Sequence, residues 1–163
     1  MAATCVFVEE GAIVTATTVA TNLNFGNTIS ANLNSSTYPV TVGNYSKSKI
    51  FQLRFDGTYT AISNIKLYKS AGSYVTGQCV NFGTSTTFIT PTGGSSPDSI
   101  AITLIPASIP STPNVLVGGT SSYSITTSAT LTDYIYLQAS ISILASATVT
   151  PTLTLCATWD ETP

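Results

Sequence analysis

Any chemistry in this chain has to be done without histidine, because its 163 residues contain none and only seven acidic and five basic side chains. General acid–base catalysis near neutral pH draws on His, a shifted carboxylate, Lys or Cys. Neither a Ser-His-acid nor a Cys-His arrangement can therefore be assembled within it. The acids are Glu9, Glu10, Asp56, Asp98, Asp133, Asp160 and Glu161. A glycosidase needs two carboxylates across a cleft at a spacing set by its mechanism. Glu9-Glu10 and Asp160-Glu161 are instead sequence neighbours that read as solvated strand ends. A hydrolase built on Asp98 or Asp133 is the remaining enzymatic reading, and no motif supports it; the chain reads as a non-enzyme.

The ligand-binding residue types are equally sparse. Cys5, Cys79 and Cys156 are dispersed and have no histidine beside them, so they form no zinc signature and read as small buried hydrophobes. Asp98, close to Gly93-Gly94, could contribute to a calcium site, but a hard cation needs several convergent oxygens, and a turn-stabilising role is the simpler expectation. Gly93-Gly94 and Gly118-Gly119 lack the strand–loop–helix context of a phosphate cradle. Lys47, Lys49, Arg54, Lys66 and Lys69 make no basic stripe for nucleic acid and are expected at solvent-facing strand positions that discourage edge pairing. Tyr134 and Tyr136, with Gln138 and Ser140 on the same strand parity, offer either a glycan platform or an aromatic pair packed under a loop or at a subunit boundary. The sequons Asn34-Ser35-Ser36 and Asn44-Tyr45-Ser46 carry little weight in a chain this rich in Asn and Ser.

The elements that would position these groups are strands. Hydrophobic residues make up 43% of the sequence and charged ones 7%, which excludes charge-driven disorder and gives enough apolar material for one core. In Lys49–Asp56, Phe51, Leu53 and Phe55 alternate with Gln52, Arg54 and Asp56, the period of a strand. Ile62–Tyr68 follows Gly57 and predicts a hairpin with it. Further strands are expected at 5–8, 13–20, 38–42, from Tyr74, ending at Phe88-Ile89, at 99–105, 115–117, 122–127, 132–142 and 147–159, with loops at 90–98 and 106–113. Pro151 reads as an edge, a start or a bulge. With no amphipathic helix, this pattern predicts a single all-β domain over residues 1–163, an antiparallel two-sheet sandwich of jelly-roll type, with 160–163 as a frayed tail.

Several runs carry a resemblance: Leu23-Asn24-Phe25-Gly26, Tyr38-Pro39-Val40, Gly43-Asn44-Tyr45-Ser46, Leu53-Arg54-Phe55-Asp56-Gly57, Ile62-Ser63-Asn64-Ile65-Lys66-Leu67-Tyr68-Lys69-Ser70 and Ala71-Gly72-Ser73-Tyr74-Val75-Thr76-Gly77. Together they resemble small structural proteins of tailed bacteriophages and related prophages, over roughly the middle third of the chain. The resemblance implies a virion component made in the host cytoplasm: a capsid decoration protein, a neck or connector-associated protein, or a head fibre or tail appendage. It implies partners among other virion subunits and carries over no catalytic residue. Low net charge favours a homo-oligomer fixed in an assembly, and a host glycan is the alternative partner. The first ten residues lack a basic start and no run of eighteen apolar residues occurs, so neither export nor membrane insertion is expected.

Overall fold

The computed structural model describes residues 2–11, 17–20, 23–31, 33–101, 103–145 and 152–163. Among these there is no helix, and nine strands form two antiparallel sheets. The centre is β3 (Lys49–Asp56), where the predicted alternation holds: Phe51, Leu53 and Phe55 are all fully buried. β1 (Thr4–Glu10) pairs with one edge of β3 in a continuous register from Thr4↔Asp56 to Glu10↔Ile50. The other edge is shared between β8 (Tyr134–Ile141), opposite residues 49–51, and β7 (Thr130–Leu131), opposite Arg54 and Phe55. Between them Thr132 fills the gap with its side chain. Its hydroxyl accepts from the Leu53 amide at 2.9 Å, and its own amide donates to the Leu53 carbonyl at 2.9 Å. β2 (Thr17–Val19) continues the sheet beyond β1, and β5 (Gln78–Ser85) and β6 (Thr103–Leu104) continue it beyond β8.

The predicted hairpin does not form. β4 (Ala61–Ala71) leaves the first sheet and pairs with β9 (Thr154–Thr162) in a second sheet. Two physical causes coincide. The two edges of β3 are already taken, and its apolar row is covered best by the matching row Ile62, Ile65 and Leu67 facing it across the core. From β9, Leu155, Ala157 and Trp159 pack into the same cluster, with Trp159 edge-on to Phe55 at 5.2 Å between centroids. A bulge between Ser63 and Lys66 places Asn64 at φ +52°, and Asn is one of the few side chains that tolerates the left-handed region. Loop segments run along the other edge of β4: Asn114 donates to and accepts from Leu67 at 2.8 Å, and Ile125 bridges Ile62.

Residues 160–162, expected to fray, belong to β9, and the Pro163 carbonyl accepts a hydrogen bond from Thr60. Glu161 also accepts from the Ala3 amide at 2.9 Å, tying the carboxyl end to the start of β1. Several expected strands reduce to isolated bridges or loops: 38–42 and Tyr74-Val75 are irregular, and 115–117 and 122–127 contribute only the bridges at Val117 and Ile125. The expected segments 13–20, 99–105 and 147–159 include residues 13–16, 102 and 147–151, and Pro151 among them, which lie outside the described residues.

Three charges are placed differently from expectation. Glu9, Glu10 and Lys49 are buried, not solvated. Lys49 shares the inward parity of Phe51, and Glu9 that of Cys5 and Phe7, so the pleat carries both to the core side at the rim of the sheet. There the Lys49 ammonium donates to the Glu9 carboxylate and to the Ser30 carbonyl, each at 2.5 Å. Glu10 lies on the opposite face, beside buried Ile50 in the β1–β3 register. Removing one member of a buried ion pair is expected to cost about 3–5 kcal/mol, whereas replacing both by apolar groups of similar volume is near neutral. Lys49→Ala should therefore lower the urea midpoint strongly, and Glu9→Leu combined with Lys49→Met should recover most of the loss.

Candidate functional site

The Tyr134–Tyr136 face does not present itself to a sugar. Tyr136 is 0% exposed and forms a second small core with Ile50 and Ala101, flanked by Phe88, Ile89 and Ile100. Its hydroxyl accepts from the Ile89 amide at 2.6 Å, and Phe88 meets Tyr134 edge-on at 5.8 Å between centroids. The segment that runs from 86 to 101 thus lies over this face of the sheet, so the tyrosines pack under a loop. Gly83 makes the close approach possible. It is the cross-strand neighbour of Tyr136, and a Cβ there would fall 1.9 Å from the Ile100 carbonyl oxygen. Gly83 ends the triplet Asn81-Phe82-Gly83, and the same triplet at Asn24-Phe25-Gly26 repeats the device: a Cβ on Gly26 would fall 2.6 Å from the Tyr38 carbonyl oxygen, while Phe25 and Phe82 both turn to the core.

Asp98 is buried and engaged. Its carboxylate accepts from the Ser48 hydroxyl at 2.7 Å, its amide donates to the Gln138 side-chain oxygen at 2.9 Å, and Gln138 in turn donates to the Ser46 carbonyl at 2.9 Å. This network holds the end of the 90–98 loop on the sheet. No group of three or more Asp, Glu, Cys or His side chains converges among the described residues. Asp133 is occupied too, accepting from the Gly118 and Gly119 amides at 3.0 and 2.7 Å. Gly118-Gly119 therefore holds a carboxylate of its own chain. Arg54 is paired with Asp56 at 3.0 Å on the outer face that alternation assigned to both. Asp98 and Asp133, the two candidate carboxylates of the hydrolase reading, each hold a different loop.

The thiols are all half-buried and free. Burial, reinforced by Cys156 and Asp56, pushes the Cys5 thiol up to about 12, which keeps it protonated and non-nucleophilic at neutral pH. Burial likewise raises Tyr136 and Tyr74 above the usual phenol range and Glu10 above the usual carboxylate range. One carboxylate oxygen of Glu10 has no hydrogen-bond partner.

Beside these groups lies a cavity of about 910 Å³. It is bounded by the inner faces of β1, β5 and β8, by Leu153 and Leu155 at the start of β9, and by the irregular segments around Phe25 and Val40. No charged side chain is among the described residues that line it. The space opens to solvent, and its described lining mixes apolar groups with polar ones such as Asn24, Ser35, Gln78, Ser140 and Thr152. Tyr74 is among the lining residues, its hydroxyl is buried, and the Val80 backbone beside that hydroxyl partly offsets the rise that burial causes. No sequence signal announced this cavity, because its lining comes from segments far apart in the chain.

Near Val42 the surface is apolar. Ile143 and Leu144 are each 78% exposed, and Ile143 packs so closely on the neighbouring Gly43 that a Cβ there would be 2.9 Å from its Cγ2. Ile109 in the 106–113 loop and Leu104 on β6 are also more than half exposed. Comparison with known proteins finds no matching family model, no matching curated protein and no matching solved structure.

Two outcomes test this description. Gly83→Ala should destabilise the protein by about 1–3 kcal/mol, the range for forcing an overpacked contact, with the loss read from chemical denaturation. Cys5, Tyr136 and Tyr74 have folded-state values above their unfolded ones, so the stability they contribute is full below pH about 9 and declines as pH rises toward 12. Thermal midpoints measured from pH 8 to 11 should fall, and Cys5→Ala should flatten the early part of that fall.

Proposed function

We propose that this protein is a non-enzymatic structural subunit of a tailed-phage particle, made in the host cytoplasm and attached to the head or neck as a decoration or accessory protein. The observation that carries this reading is the exposed apolar group Val42, Ile143 and Leu144 on a body with very little charge. Scattered exposed hydrophobes are ordinary, but adjacent ones such as Ile143 and Leu144, each 78% exposed, favour a protein contact. Ile109 supports a second contact through the 106–113 loop. Weak contacts of this kind gain strength when a particle repeats them many times. The internal engagement of Asp98, Asp133 and Tyr136 supports a packing role over a catalytic or glycan-binding one.

On this reading the body is a sandwich of jelly-roll type. Support comes from the two antiparallel sheets sharing one core and from the 106–125 segments that extend the small sheet along β4.

The purified chain should self-associate in sedimentation velocity or co-sediment with purified heads or necks. Ile143→Asp with Leu144→Asp should weaken that association at least about 10-fold while leaving the thermal midpoint unchanged, as expected for loss of an interface anchor. A chain that remains monomeric and binds neither heads, necks nor tails would require abandoning the reading.

A further inference from the structure

We propose that the free edge of β9 pairs antiparallel with β9 of a second copy of this chain, joining the two small sheets into one four-stranded sheet across a two-fold axis. This contact is separate from the surface around Ile143 and does not rest on the role in a particle.

The hydrogen bonds of β4 fix which way β9 faces. Ile62 exchanges both main-chain bonds with Ile125, at 2.8 and 2.9 Å. Leu67 uses its amide and carbonyl on the Asn114 side chain, and the Ile65 carbonyl accepts from the Asn114 and Val115 amides. Main-chain groups alternate between the two edges of a strand, so Ser63, Lys66 and Tyr68 face β9, opposite Asp160, Thr158 and Cys156. The amides and carbonyls of Leu155, Ala157 and Trp159 therefore point away from β4. Among the described residues no main-chain group meets them, and the Ala157 carbonyl has only the Cys156 thiol, at 3.8 Å.

An open strand edge is a template for another strand, and proteins blunt such edges with short strands, Lys, Pro or bulges. The described ends of the large sheet are short, three residues in β2 and two in β6. β9 has nine residues, contains neither Lys nor Pro, and the extra residues at both register shifts belong to β4. Cover of the core is also thinnest on this side. Leu155, Ala157 and Trp159 are half-buried, as are Cys5 and Phe7 of β1, whereas the facing rows of β3 and β4 are at most 2% exposed.

The sequence of β9 fits a copy of itself. From Thr154 to Trp159 it is uncharged, and Asp160 and Glu161 stand at one end only. Antiparallel pairing centred on Ala157 sets that acidic end beside Leu153 and Thr154 of the other copy, whereas parallel pairing would oppose like charges. Leu155 then meets Trp159 of the other copy and Ala157 meets itself, with about six main-chain hydrogen bonds in the self-complementary pattern of a two-fold interface. A net charge of −2 gives the two bodies little repulsion to overcome.

Sedimentation velocity of the intact chain should show a concentration-dependent monomer–dimer equilibrium. Over the same range, hydrogen exchange at the Ala157 and Trp159 amides should slow at least about 10-fold on dimerisation, while Thr158 and Asp160, already bonded to β4, stay slow throughout. Ala157→Pro removes an outward donor and leaves the ladder to β4 in place, so it should weaken the dimer at least about 10-fold. Where proline is not accommodated, Thr158→Glu keeps every donor and faces Lys66 within its own sheet. Two such chains should repel across the axis, and mixing them with Thr158→Lys chains should restore the dimer.

A chain that stays monomeric, or a dimer in which the Ala157 and Trp159 amides remain unprotected, would overturn the pairing. Protection that appears only on adding purified heads or necks would also overturn it, giving the edge to a strand of another subunit. Ile143→Asp with Leu144→Asp should break association beyond the dimer and leave the dimer itself. Co-sedimentation with heads or necks is read separately, so this contact and the particle role fail independently.

Discussion

Both edges of β3 are occupied, by β1 along its whole length and by β8, Thr132 and β7 in succession on the other side. The chain that leaves β3 at Gly57 therefore has no edge to return to and crosses to a second sheet. This crossing puts Ile62, Ile65 and Leu67 over Phe51, Leu53 and Phe55, and β9 completes the cover with Leu155, Ala157 and Trp159. The reward is a dry core made from two apolar rows. The small sheet covers only part of the inner face of the large one, and the cavity occupies the stretch near Ala139, Ile141 and Leu153.

Alternation made much of this legible. β3 was readable to the residue, and the inward parity of Ile135, Leu137 and Ala139 on β8 and of Leu155, Ala157 and Trp159 on β9 follows from the same period. The partner of each strand was not legible, because sequence adjacency favours a hairpin and only the occupancy of the β3 edges forbids it. The burial of Lys49 and Glu9 was in the pattern: both sit on the inward parity of their strands, and residue type suggested solvent where position dictated the core. Gly83 and Gly26 close the same Asn-Phe-Gly triplet, but their purpose depends on carbonyls contributed by Ile100 and Tyr38, outside either triplet. The short strands expected in 38–42, 115–117 and 122–127 had apolar residues without enough neighbours to complete ladders.

The polar groups that could have carried chemistry are spent on architecture. Asp98 holds a loop through Ser48, Asp133 holds the Gly118-Gly119 turn, Tyr136 anchors the covering segment, and Cys5 is kept as a thiol by burial. Low charge makes each such engagement necessary, because an unpaired polar group inside this body has few alternatives. Among the described residues one Glu10 carboxylate oxygen and the Tyr74 hydroxyl are buried without a partner, and the exposed surface around Ile143 is apolar.

The crossing between sheets is the claim on which the rest stands, and nuclear Overhauser contacts measured on the isotopically labelled protein test it most directly. The account predicts contacts between the Trp159 indole and the Phe55 ring, with backbone ladders joining β3 to β1 and β8 and β4 to β9. A continuous backbone ladder between residues 49–56 and 61–68 would restore the hairpin, remove the shared core and contradict the account.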